Sequence, residues 1–311
     1  MGWNSQSVTK RDWVLMGALA ALWGASYALI KVAIDGGLSD TFIVFARTLL
    51  GAAVLWPVLV RSGALPAVRR RFGWLALISV VQIVGPFLLI TWGEHHVPSS
   101  LAGILVASAP IWAALIALTV VRTERMQGAG LAGVALGIVG VGLLFGVDLH
   151  GDDDALLGGA GILLAGLGYA VAGFVAKAKC ADVPPVGVAG TIIGLSAVWM
   201  LPTVPFGAPD SAPDAGTVAA MLLLGAGGTG AAFLVFYMLN AHVGPTRSAV
   251  VAYIAPGFSV FYGVAFMDEA FTLGTAAGLV LILLGSWMAA AGRVPGRRRA
   301  QATTAGVAVE A

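Results

Sequence analysis

LAGILVASAPIWAALIALTVVRTERMQGAGLAGVALGIVGVGLLFGVDLH, residues 101–150, holds two apolar runs split by one short charged break. No charged residue occurs from Leu101 to Val121 or from Met126 to Val147; Arg122, Glu124 and Arg125 lie between them. A helix needs about 20 apolar residues to cross the hydrocarbon core of a bilayer. Each run has that length, and the break has room only for a turn at the membrane edge.

The same pattern recurs along the chain. Breaks in hydrophobicity place spans at about 13–34, 41–60, 73–93, 99–121, 127–147, 156–176, 185–206, 217–239, 247–267 and 273–292. The breaks are charged or rich in Gly, Pro and Asp, as at Asp35-Gly36-Gly37, Arg69-Arg70-Arg71 and Asp152-Asp153-Asp154. Composition agrees. Hydrophobic residues make up 59% of the 311 and charged residues 10%, against about 25% charged in soluble domains. Mean hydropathy is +0.94. The single cysteine, Cys180, admits no internal disulfide and reads as a small residue near a helix end.

Charge placement tests the count. With the N-terminus inside, the inside segments carry Lys10, Arg11, Arg61, Arg69, Arg70, Arg71, Arg122, Arg125, Lys177, Lys179, Arg247, Arg293, Arg297, Arg298 and Arg299. The outside loops carry Asp35, Asp40, Glu94, Asp148, Asp152, Asp153, Asp154, Asp210, Asp214, Asp268 and Glu269, and no Lys or Arg. Cytoplasmic loops hold the Lys and Arg excess. Adding or dropping one span would destroy this separation. Ten spans with both termini in the cytoplasm are therefore expected, in the plasma membrane.

An internal repeat divides the ten. Setting His96-Val97 on His242-Val243 brings Pro110 onto Pro256, Trp23 onto Tyr169 and Lys31 onto Lys177; one residue of slip brings Glu124 onto Glu269 and Gly133 onto Gly278. Five spans per half is an odd number, so the second half enters the membrane upside down. The expected fold is an all-α integral membrane protein of ten transmembrane helices in two inverted five-helix repeats, 13–147 and 156–292, with a disordered cytoplasmic tail at 293–311. Inverted repeats are a recurrent transporter design with the substrate site near the midplane.

These residues resemble the EamA-type branch of the drug/metabolite transporter superfamily. The likeness rests on Trp23-Gly24-Ala25-Ser26-Tyr27 with Lys31 in the first span and on Phe42 to Arg47 in the second. It rests also on the mid-helix prolines with terminal glutamates, Pro110 with Glu124 and Pro256 with Glu269, each followed by a Gly-rich span. It covers about residues 13–292. The resemblance implies ten helices around a central cavity and export or exchange of small metabolites, often amino acids. One departure stands out: Ile192 or Ile193 takes the place of Arg47 in the second half.

Lys31 and Arg47 are the two cations inside spans, where each costs about 2.5–3.5 kcal/mol on insertion scales. Together they could line an outward cavity and hold a carboxylate. Lys31 alone has a simpler reading, snorkelling with Asp35 one turn on. Arg47 has no acid on its own helix and is expected to face the bundle interior. Trp23, Tyr27, Gln82, Trp112, Tyr169, Tyr237 and Tyr253 are further cavity candidates, with Trp92 and Asn240 beside them; Trp13, Trp74 and Trp92 suit the interface. Pro110 and Pro256 are hinge candidates, with a static bend as the alternative. Glu94, His95 and His96 are proton-coupling candidates, set against ordinary polar residues at a wet helix end. Gly133/Gly137, Gly142/Gly146 and Gly274/Gly278 read as close helix contacts.

No catalytic base accompanies a nucleophile, no zinc pair occurs and no phosphate-binding loop ends in Gly-Lys, so neither an enzyme nor a primary pump is expected. Nor is a metal, a cofactor or a nucleic-acid partner. The expected partners are a small-molecule metabolite and the lipid bilayer. The expected function is a secondary carrier of small organic metabolites, exporting or exchanging them by alternating access; a passive channel or membrane-bound sensor of the same fold is the alternative.

Overall fold

In the computed structural model the described residues are 9–121, 125–126, 128–149, 152–291 and 293–294. They form ten apolar helices: α1 (Lys10–Asp35), α2 (Asp40–Arg61), α3 (Leu65–Gly93), α4 (Ser99–Thr119), α5 (Ala129–Val147), α6 (Asp153–Lys179), α7 (Pro185–Gly207), α8 (Ala215–Asn240), α9 (Val251–Phe266) and α10 (Leu273–Ala290). Nine are long and apolar enough to cross a membrane, and the 16-residue α9 is prefixed by the helical turn Pro245–Ser248. The protein is a multi-pass membrane protein. Glu124 and nearly all of the 293–311 tail lie outside the described residues.

Contacts at the helix ends sort into two faces. On one face the Asp12 carboxylate meets His242, Arg71 meets Asp182, and Arg125–Met126 pairs antiparallel with Arg293–Val294. On the other, His95 meets Asp40, Ser39 donates to the Gly207 carbonyl, and Thr272 donates to Asp148. These contacts respect ten crossings: each joins two ends that the count puts on the same side. The first face holds the arginine run 69–71 and is called the basic face below; the second is the acidic face.

Helix capping gives the acidic face part of its character. The even-numbered helices all begin there, and each N-terminus leaves backbone N–H groups in need of acceptors. Ser39 caps α2, Asp152 caps α6, Asp214 caps α8 and Thr272 accepts from Thr275 N–H at the start of α10. At the start of α4 the Glu269 carboxylate accepts from Ser99 and Ser100 N–H at 2.6 and 2.9 Å. Acids at these positions also complement the positive ends of the helix dipoles.

The inverted repeat is visible in the packing. The last helices of the halves, α5 and α10, share the longest interface in the bundle, made by glycines. A Cβ on Gly285 would come within 2.5 Å of the Gly137 nitrogen, and one on Gly133 within 2.6 Å of the Ala289 nitrogen. Gly274 and Gly278 are equally tight against Val147 and Leu144. Gly142 and Gly146 have open space around them, so the close contact expected there is corrected: these two turn away from the seam. Elsewhere the halves exchange partners. α2 lies on α7, α1 on α9, and α6 on α4, each as an inverted repeat requires.

Two π-helical segments fall at equivalent places, Ser79–Val84 in α3 and Leu223–Ala231 in α8. The prolines are not equivalent. α4 is broken at Ala107–Ser108 and Pro110 opens its second segment, in a first turn that needs no proline N–H. Pro256 sits inside the continuous α9. The expectation of two like mid-helix kinks is therefore corrected.

Candidate functional site

Arg47 lies seven residues into α2 from the acidic face, about 10 Å along the axis. It is 6% exposed. Its Nε donates to Thr229 Oγ1 at 2.9 Å, and its guanidinium carbon sits 3.7 Å over the Phe87 ring. The π segment of α8 arranges this contact. Thr229 donates its own hydroxyl to the Leu224 carbonyl five residues back, which leaves an oxygen lone pair for Arg47. Gly51, one turn beyond Arg47, gives Thr229 the room: a Cβ there would lie 2.8 Å from its methyl carbon. The remaining guanidinium N–H groups have no protein acceptor among the described residues. Arginine presents five donors in a planar fork suited to carboxylates, so most of that fork stays available.

Around Arg47 stand groups from other helices. Tyr169, Tyr27 and Glu94 are its electrostatic neighbours. Tyr27 of α1 is held close to α4 by Gly103, where a Cβ would lie 3.1 Å from the tyrosine ring. Glu94 closes α3. The wet helix end expected for it is corrected: its exposure is 0%, so burial removes it from water altogether. Neither of its carboxylate oxygens has a hydrogen-bond partner among the described residues. The same holds for Thr91 Oγ1 on the preceding turn, for Ser99 Oγ at the start of α4, and for Ser108 Oγ and Trp112 Nε1 lower on α4. Ser108 and Trp112 face Gly166, one turn before Tyr169 on α6. Buried polar atoms are ordinarily paired. A run of unpaired ones along α3 and α4 marks an interior built for polar contents.

The other candidates fall elsewhere. Lys31 pairs with Asp35 at 3.5 Å, the simpler of its two readings. Trp23 packs against Phe233 and Phe236, and Tyr237 joins the same aromatic group. Tyr253 donates to the Ser286 carbonyl at 3.4 Å. Gln82 is half-buried in the π segment of α3. His95 is exposed and bonded to Asp40, while His96 packs edge-on against Trp92. Sequence reading missed Thr229, Phe87, Thr91, Ser99 and Ser108. The run Gly225-Ala226-Gly227-Gly228-Thr229-Gly230 was the available signal for Thr229, a lone hydroxyl among glycines.

A separate groove of about 760 Å³ opens on the outside of the bundle between α2, α3 and α7. Phe45, Trp56, Phe72 and Val198 line it, and its walls are almost wholly apolar. It suits lipid rather than a polar metabolite.

The chain matches known proteins along most of its length. The model of the EamA-like transporter family matches twice, at residues 11–146 and 156–291. The uncharacterized transporter YoaV of Bacillus subtilis is 23% identical over 281 residues, 88% of this chain and 96% of that protein. The uncharacterized inner membrane transporter YedA of Escherichia coli is 25% identical over 289 residues, 88% of this chain and 92% of its own. A probable terminal-alkyne amino-acid exporter of Streptantibioticus cattleyicolor is 31% identical over 144 residues, 44% of this chain and 45% of that one. A solved structure, titled only as the crystal structure of a protein, shares the fold with a TM-score of 0.64, covering 93% of this chain and 100% of its own at 21% identity. Ten apolar helices, an inverted repeat and a double family match across nearly the whole chain make this protein a member of the EamA-like transporter family.

Proposed function

We propose that the protein is a secondary carrier that moves small organic metabolites, amino acids among them, by alternating access, with Arg47 as the group that holds the substrate carboxylate. The observation that carries this reading is the environment of Arg47: a buried guanidinium, fixed at one nitrogen by Thr229, with its other donors meeting no acceptor among the described residues. A cation is costly inside a bilayer and is kept there for a pathway or a site. The amino-acid exporter among the relatives supports the substrate class. Tyr27, Tyr169 and Trp112 supply the apolar and hydrogen-bonding walls that small-molecule sites combine. In this reading the protein sits in the plasma membrane with the basic face and both termini toward the cytoplasm, as the Lys and Arg excess requires.

The test is counterflow. Purified protein in liposomes preloaded with unlabelled L-leucine or another amino acid is expected to accelerate entry of the labelled compound, with a saturable rate. A panel of amino acids with no flux above empty liposomes would sink the carrier reading. A rate that rises linearly with concentration would replace the carrier with a channel.

A further inference from the structure

Glu94 is the most anomalous group in the molecule. It is fully buried at the mouth of the site, and neither carboxylate oxygen meets a hydrogen-bond donor among the described residues. Leaving a buried carboxylate unpaired is among the costliest arrangements a protein can hold. Its charged neighbours are Glu269, Arg47 and Lys31. Each of these is engaged elsewhere: Glu269 caps α4, Arg47 bonds Thr229 and Lys31 pairs with Asp35. Arg47 and Glu94 interact through their charges, yet no ion pair joins them. An anion-binding fork and a carboxylate without donors thus stand on different helices, coupled through charge but not joined by an ion pair.

From this geometry we infer that Glu94 is an ammonium-binding subsite, set opposite the carboxylate subsite at Arg47, so that the two together select a zwitterion over its singly charged analogues. The inference rests on the carrier reading for its biological use but assigns a different residue and a different ligand group. A primary ammonium offers three donors. Glu94 has two oxygens without partners, and the orphaned hydroxyls of Thr91 and Ser99 lie on the adjoining turns of α3 and α4. Those hydroxyls accept as well as donate, so they can complete the cradle. Glu269, held by two backbone N–H groups, adds negative potential from behind without competing for the same donors. The charge on Glu94 is then compensated when substrate is present, which explains why a carboxylate can stand buried there.

Binding to the full-length protein in detergent tests this with three probes sharing the isobutyl group: L-leucine, isoamylamine (ammonium only) and 4-methylpentanoate (carboxylate only). Glu94→Gln is expected to weaken isoamylamine at least about tenfold and to leave 4-methylpentanoate unchanged; Arg47→Gln is expected to do the reverse, and both to weaken leucine. Should Glu94→Gln be lost from the membrane, Glu94→Asp, which keeps the charge one methylene shorter, carries the same comparison with a smaller loss of amine affinity. The inference is overturned if wild-type protein binds no isoamylamine, or if the Glu94 variants bind it as wild type does. It is also overturned if Glu94→Gln removes only a pH dependence of leucine flux, which would make Glu94 a proton carrier and nothing more. Failure of the parent reading looks different: the probes bind as expected, yet leucine shows no counterflow. Saturable counterflow with amine binding indifferent to Glu94 leaves the carrier standing and removes the subsite.

Discussion

Thr229, in the π segment of α8, accepts a hydrogen bond from Arg47 of α2; Ser79, in the π segment of α3, accepts one from Trp199 of α7. The two ties join equivalent helix pairs of the inverted halves, since α2 and α7 are repeat partners, as are α3 and α8, but at different turns: Trp199 lies about two turns past the counterpart of Arg47. The second tie is electrically neutral and complete: the Trp199 indole has one donor and uses it at 3.0 Å, while Ser196 donates to the Ser79 carbonyl at 3.2 Å. The first is charged and incomplete, because Arg47 commits one of its donors and keeps the rest. The helix geometry is shared and the chemistry is not. The repeat supplies the scaffold, and the departure from it at Arg47, where Ile192 and Ile193 stand buried on the other side, supplies the site.

The largest effect should come from breaking the charged tie. Arg47→Ala is expected to cut counterflow by at least about tenfold while the protein still inserts, because hydrogen bonds to charged groups contribute about 1.5–3 kcal/mol each. Normal flux in that variant would put the two ties on an equal footing. Next comes the seam that relates the halves. Gly285→Val places a side chain where the Gly137 backbone lies and is expected to destabilise by about 1–3 kcal/mol, read as a lower unfolding temperature in detergent. Thr229→Val removes the Arg47 acceptor and leaves the charge; a several-fold rise in KM with a smaller change in maximal rate is expected if Thr229 aims the guanidinium. An unchanged KM would show that Phe87 alone holds it. The smallest effect belongs to the neutral tie. Trp199→Phe should cost about 1 kcal/mol or less and leave flux unchanged. Loss of transport there would dissolve the distinction.

The fold was largely legible because its signals are one-dimensional. Apolar runs and the placement of Lys and Arg are read along the chain, and end-to-end contacts such as Arg71–Asp182 and His95–Asp40 join the segments that the count puts together. Arg47 was legible for a related reason: lipid tolerates a cation poorly, and no acid within the apolar span 41–60 offered it relief. What escaped depends on groups brought together from distant parts of the chain. Glu94 reads as a wet helix end, yet it is fully buried, and Glu269, far away in sequence, caps α4 close by. Pro110 and Pro256 read alike because a proline says that a helix lacks one hydrogen bond, not where the helix breaks; α4 breaks just before Pro110, whereas Pro256 lies inside the continuous Val251–Phe266. Ser99 and Ser108 were overlooked because a hydroxyl usually bonds its own helix, as Thr48 and Ser196 do here.

The inversion of the halves has a consequence for how such a chain can arise. A five-helix unit ends on the opposite side from where it began, so a duplicated copy joins on through a short link, here the stretch between Val147 and Asp153. The copies cannot then remain identical. The same turn lies on opposite sides of the bilayer in each, and what suits one side is wrong for the other. The turn between α2 and α3 leads into Arg69, Arg70 and Arg71; its counterpart between α7 and α8 holds Asp210 and Asp214. Divergence in the loops is thus forced from the moment of fusion, whereas the glycine seam, which sees the same surroundings from both copies, is free to stay alike.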